Sequence, residues 1–97
     1  MDYTFSIRDI SGRDIYLPKE RWLHITTKHA NMSDKLDAIK KALQHPTIVV
    51  THKYDDAMRN YYFYLKQNKN YLLVSVKYLN GKGFVATEFI THKLVKR

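Results

Sequence analysis

The sequence predicts an α+β fold: an N-terminal hairpin and two helices packed on a four-stranded antiparallel sheet. Two observations carry this expectation. Between Pro18 and Pro46 the hydrophobic period is helical, and on either side of that span it is strand-like. The strand-like segments after Pro46 follow one another through short polar connections. An antiparallel meander needs such connections, whereas a parallel sheet would interleave helices.

Taken in order, Tyr3 to Ile7 and Ile15 to Leu17 read as short strands around a turn at Ser11-Gly12. Pro18 suits the first helical position, where its missing N–H would be unpaired in any case. The first helix runs from about Lys19 to His29. Asn31-Met32-Ser33 interrupts the pattern, and Ser33 offers an N-cap to a second helix whose Leu36, Ile39 and Leu43 form a core stripe. His45-Pro46 ends it.

Four strands are then expected at Ile48 to Thr51, Tyr61 to Lys66, Tyr71 to Leu79 and Phe84 to Thr91. Alternation puts Leu72, Val74, Val76 and Tyr78 on one face and Leu73, Ser75 and Lys77 on the other; it likewise groups Val85, Thr87, Phe89 and Thr91. A two-residue loop at Gly81-Lys82 would pair Lys77 with Ala86. A three-residue loop with a bulge would pair Lys77 with Thr87, and the glycines flanking Lys82 favour this second register.

A chain of 97 residues makes a single domain, 1–97, with residues 92–97 as a basic tail. Cysteine is absent, which excludes disulfides and thiolate zinc sites and fits a reducing, cytoplasmic setting. No apolar run is long enough to span a bilayer and Met1-Asp2-Tyr3 does not read as a signal peptide, so no membrane is expected as a partner. Seventeen Lys+Arg against nine Asp+Glu give a net charge of +8. That balance suits a polyanionic partner, nucleic acid or an acidic protein, and says nothing about fold.

Candidate chemistry gathers on the first helix and the last strands. At 100° per residue, Arg21, His24 and Lys28 share one side of the helix, while Trp22, Ile25 and His29 share another. Cations beside a histidine favour its neutral form, the form a general base needs. A solvated polar face for His24 and a capping or packed role for His29 are the plainer alternatives. Lys77 is a cation within an apolar strand, facing a phosphate or snorkelling to solvent. Tyr62 and Tyr64 offer stacking faces for unpaired bases, Arg59 a phosphate contact. Asp55-Asp56, the one adjacent carboxylate pair, reads as a turn. His24 and His29 diverge by about 140° on a helix and cannot share a metal directly, so no metal or other cofactor is expected.

From Arg21-Trp22-Leu23-His24-Ile25-Thr26-Thr27-Lys28-His29 onward the chain resembles the phage-associated branch (PBECR) of the barnase–EndoU–colicin–RelE nuclease superfamily. The resemblance runs from Leu17 to Thr91 through Leu43-Gln44-His45-Pro46, Ile48-Val49-Val50, Tyr61-Tyr62-Phe63-Tyr64, Val74-Ser75-Val76-Lys77 and Val85-Ala86-Thr87-Glu88-Phe89. It implies helices packed on a four-stranded antiparallel sheet, and metal-independent endoribonuclease activity in a toxin held by an acidic antitoxin or immunity protein. On the family's pattern His24 and His29 fall on the helix histidines, Lys77 on the strand lysine and Thr87 on the last-strand threonine. Two departures stand out. Ala30 follows His29 where the family commonly has proline, and Glu88-Phe89 follows Thr87 where a small residue and tyrosine are common. A carboxylate beside Thr87 would weaken phosphate binding there. A noncatalytic RNA-binding module, or a cationic adaptor for an acidic protein, would use the same cations and tyrosines.

Overall fold

The computed structural model describes residues 3–79 and 81–94. Its elements, in chain order, are β1 (Tyr3–Arg8), β2 (Asp14–Pro18), α1 (Lys19–Lys28), α2 (Leu36–Gln44), β3 (Ile48–Thr51), β4 (Met58–Leu65), β5 (Asn70–Leu79) and β6 (Lys82–Thr91). One turn of 3-10 helix, Ala30–Met32, joins the two helices. Pro18 closes β2 rather than opening the helix. Ser33 ends the 3-10 turn, and α2 starts at Leu36 without a side-chain cap. Of the expected basic tail, residues 95–97 lie outside the described residues.

The class is α+β, but the sheet differs from the expected one. Strands β3 to β6 form the antiparallel meander. The hairpin then joins it: β2 lies parallel to β6, from Asp14 opposite Lys82 to Tyr16 opposite Phe84, giving six strands in the order β1-β2-β6-β5-β4-β3. The meander alone would leave the edge of β6 with unpaired backbone groups, and β2 covers part of it. Period identifies a strand but not its neighbour, so this pairing was not legible in the sequence. The pairing stops early because the chain turns at Pro18 into α1, while β6 continues to Thr91. Helix and strand therefore diverge as a fork.

One face of the sheet carries the main core, where Leu17, Leu72, Val74 and Val85 meet Ile25 of α1 and Ile39 and Leu43 of α2. The other face holds a smaller cluster of Val50, Tyr62 and Leu73, with Tyr71 and Phe89 half-buried beside it and no helix residue among them. We call this second face the bare face.

The β5–β6 register decides what each face presents. Ser75 is opposite Thr87, yet Val76 is opposite Val85, so Ala86 is an extra residue in a β-bulge. The bulge moves Val85 and Glu88 to the helix side and leaves Phe84, Thr87, Phe89 and Thr91 on the bare face. Val85 thus does not share a face with Thr87, contrary to the simple alternation. Lys77 pairs with Phe84, so neither of the two registers expected for it is the observed one. The turn lies one residue earlier than expected: Leu79 is opposite Lys82, and Gly81 sits in the left-handed region at φ 81°.

A polar knot ties the hairpin turn to the central strands. Asp9 is 6% exposed. Its Oδ1 accepts from the Ser11 N–H (2.9 Å), the Ser11 hydroxyl (2.6 Å) and the Arg13 N–H (3.0 Å). Its Oδ2 accepts from the hydroxyls of Tyr61 (2.6 Å) and Tyr78 (2.5 Å), which also contact one another. Burial works to raise the Asp9 carboxyl, but these hydrogen bonds outweigh it and hold Asp9 below the usual carboxylate value. Burial and the Asp9 carboxylate push Tyr61 up to about 12 and Tyr78 higher still.

Glu88 is the odd member of the core, fully buried with no partner for either carboxylate oxygen among the described residues. Burial alone pushes its carboxyl up from 4.5 to about 8. The folded chain therefore holds this proton more tightly than the unfolded chain does. The contribution of the protonated Glu88 is full below about pH 4.5 and declines as pH rises toward 8, a loss of roughly 3 kcal/mol from this group by pH 7. Glu88→Gln should abolish this decline. In denaturant melts, the variant's stability relative to wild type is expected to climb steadily between about pH 4.5 and 8. A pH-independent difference would show that Glu88 is solvated or paired in the folded protein.

Candidate functional site

The fork between α1 and β6 opens a cleft of about 410 Å³, lined by Pro18, Glu20, Arg21, His24 and Phe84. Arg21 and His24 stand one turn apart on the helix, and Lys28 continues the same side toward its end. All three are exposed. His29 lies outside this cleft: its N–H closes the helix on the Ile25 carbonyl at 2.7 Å, and its ring lies 6.4 Å from that of Phe89. The two histidines therefore occupy separate positions, as their angular divergence on the helix requires.

Phe84 belongs to both the cleft and the bare face. On one side it lines the cleft with Arg21 and His24; across the strands it is the direct neighbour of Lys77. Beyond Lys77 come Ser75 and, opposite it, the exposed Thr87. The Ser75 hydroxyl donates to Asn60 Oδ1 at 2.6 Å, which fixes that part of the face. Glu88 follows Thr87 in sequence but points into the core, so its carboxyl does not oppose an anion beside Thr87.

Lys77 is not a free cation. Its ammonium donates to Asp55 Oδ2, and each side chain is only partly exposed. Asp55 is itself fixed: its Oδ1 accepts the Ala57 N–H at 3.0 Å and its carbonyl accepts the Met58 N–H at 3.0 Å. The hydrogen bond from Lys77, followed by that from Ala57, holds the Asp55 carboxyl below its usual value. The turn reading of Asp55 was right in part, but it missed the side chain's second partner, 22 residues away.

The tyrosines divide by strand alternation. Tyr62 and Tyr64 share the bare face with Tyr71, whose ring centre lies 6.1 Å and 5.3 Å from theirs. Tyr62 is buried and Tyr64 is exposed, so Tyr64 has the more accessible ring. Arg59 does not join Lys77. It is opposite Val76, on the helix side, and its guanidinium lies 5.4 Å from the centre of the Tyr78 ring.

No family model matches the chain, and no curated protein or solved structure is similar enough to count as a match. Among the described residues, no three histidine or carboxylate side chains form a metal-binding set, and no helix is long and apolar enough to cross a membrane. The arrangement itself offers an imidazole and guanidinium at a cleft wall, a lysine and threonine on the adjoining face, and exposed aromatic surface farther along.

The Lys77–Asp55 pair has a measurable consequence, since a polyanion reaching Lys77 competes with Asp55. Asp55→Ala should raise affinity for heparin about two- to fivefold, the size of one exposed ion pair. Asp56→Ala, which removes only an exposed neighbouring charge, should do less. Equal effects of the two variants on the salt needed for elution would show that Asp55 acts through net charge alone.

Proposed function

We propose that the protein is a metal-independent endoribonuclease working at the α1–β6 fork and the adjoining bare face. The observation that carries this reading is the double role of Phe84, which sets His24 and Arg21 on one side and Lys77 on the other. A candidate proton acceptor thus lines the cleft, and a candidate phosphate-binding cation lies across Phe84 on the adjoining face. The net charge of +8 and the exposed Tyr64 ring suit a single-stranded polyanion with stacking bases.

In this reading, His24 takes the proton from a ribose 2′-hydroxyl. The freed oxygen attacks the adjacent phosphorus and expels the 5′-oxygen, leaving a 2′,3′-cyclic phosphate and a 5′-hydroxyl. Lys77, released from Asp55 by the incoming phosphate, and Arg21 stabilise the charge that develops on the phosphoryl oxygens. Thr87 donates a hydrogen bond to one of them. Water protonates the departing 5′-oxygen in this reading, since His29 lies outside the cleft, and Lys28, one turn beyond His24 on the same side of the helix, holds the strand. A basic ribonuclease of this kind, read as a toxin of the family it resembles, would be held in check by an acidic antitoxin or immunity protein covering the same cations.

The test is incubation of wild type and His24→Ala with total RNA in EDTA, followed by end-group analysis. Wild type should give cyclic-phosphate ends, with the variant slower by roughly 10²–10⁴-fold and equally well folded. Intact RNA that nevertheless binds wild-type protein would replace the nuclease reading with a noncatalytic RNA-binding module.

A further inference from the structure

Three aromatic rings form a row across the hairpin and the last strand, apart from either core. The β1–β2 hairpin carries Tyr3 and Tyr16, and the parallel β2–β6 pairing sets Tyr16 directly opposite Phe84. Ring centres lie 6.2 Å apart from Tyr3 to Tyr16 and 6.1 Å apart from Tyr16 to Phe84. Among the described residues, none of the three belongs to, or packs against, the core cluster on either face of the sheet. Each ring-bearing residue remains half-buried, so filling the core does not account for the row.

Tyr16 and Phe84, together with Leu79 and Lys82, line a cavity of about 390 Å³. Its size falls within the range of small-ligand sites, roughly 300–1,000 Å³. Leu79 is 54% exposed, a large apolar side chain that the fold leaves in water. Lys82 is exposed and forms no ion pair among the described residues. The two rings lie against each other at a 41° tilt, so a ligand ring stacks on their open faces rather than between them. A bare anion would leave the rings unused, and an uncharged apolar ligand the lysine. A nucleotide uses both, through the π-face of its base and the charge of its phosphate. Phe84 is also a wall of the α1–β6 cleft, so a strand lying beside His24 and Arg21 meets this cavity across one side chain.

We propose that Tyr16, Leu79, Lys82 and Phe84 form a nucleotide subsite, where an unpaired base of RNA stacks on the two rings and Lys82 holds its phosphate. This rests on the reading of the α1–β6 fork as the surface where RNA lies. The subsite favours single-stranded RNA, since a base stacked inside a duplex has no free face to offer the rings.

The experiment compares the affinity of the intact protein for a short 2′-O-methyl oligoadenylate and for the same sugar–phosphate chain without bases. Wild type should bind the base-bearing chain about tenfold more tightly, the size of one base–aromatic contact. Tyr16→Leu keeps apolar volume but removes the π-face, and should cancel most of this preference; Tyr16→Trp should retain it. Lys82→Met should weaken both chains alike and lower the salt slope by about one phosphate contact. Tyr54→Leu, at an exposed tyrosine outside the row, should change neither affinity. In wild type, the ring protons of Tyr16 and Phe84 should shift saturably with the base-bearing chain alone, a readout that needs no variant to fold. Equal affinity of wild type for the two chains, a preference that survives Tyr16→Leu, or binding of neither chain overturns the proposal. A Tyr16-dependent preference without His24-dependent cleavage in EDTA keeps the subsite and removes the ribonuclease reading. Cleavage without that preference does the reverse.

Discussion

The register between β5 and β6 is the constraint on which the rest of the molecule depends. Ala86 is one residue more than β5 can match, and every side chain after it changes face relative to uninterrupted alternation. The same displacement exposes Thr87 near Lys77, brings Phe89 toward His29, and drives the Glu88 carboxyl into an apolar core. A bulge thus couples the make-up of the candidate site to a destabilising feature on the other face. Burying an unpartnered carboxyl costs stability, and the observed arrangement keeps it neutral through much of the ordinary pH range.

What anchors this central pair is the Asp9 knot, whose Tyr78 lies two residues from the bulge position on β5. Tyr61 of β4 and Tyr78 of β5 meet the hairpin turn at one carboxylate, and the turn is further tied to α2 by the Ile10 N–H on the Leu43 carbonyl at 3.0 Å. Close packing extends to Gly83, where an added Cβ would lie 2.9 Å from Val76 Cγ1 and 3.0 Å from the Tyr78 ring. The hairpin is therefore held to the sheet twice, through the parallel β2–β6 pairing and through the turn. With β2 secured, α1 departs from a fixed point, and the fork that carries His24 has a defined wall.

Local features were legible in the sequence. β3 spans the residues that its β-branched run marks out, and α1 ends at Lys28 with His29 as its C-cap, one residue short of the expected end. Long-range partners were not. The Asp9 bonds to Tyr61 and Tyr78 cross 52 and 69 residues, and no periodicity connects a turn aspartate to strand tyrosines. The β2–β6 pairing and the Ala86 bulge belong to the same class, because each depends on what lies across the sheet. Arg59 is different: the expected strand began at Tyr61, but β4 starts at Met58, and alternation within it puts Arg59 on the core side with Tyr61, away from Tyr62 and Tyr64. His24, Arg21 and Phe84 meet only because β2 pairs with β6, and that meeting could not be foreseen from helix spacing alone.

Site and fold together make the bare face and its fork the surface on which RNA is proposed to lie, with α2 turned to solvent elsewhere. The most direct test is an amide NMR titration with a 2′-O-methyl RNA oligomer, which binds but cannot be cleaved by 2′-hydroxyl attack. The account predicts saturable shifts at Ser75, Lys77, Phe84 and Thr87 and along α1 at Arg21 and His24, with Asp37, Lys41 and Gln44 on the exposed side of α2 unmoved. Shifts centred on α2, or none at the bare face, would contradict it.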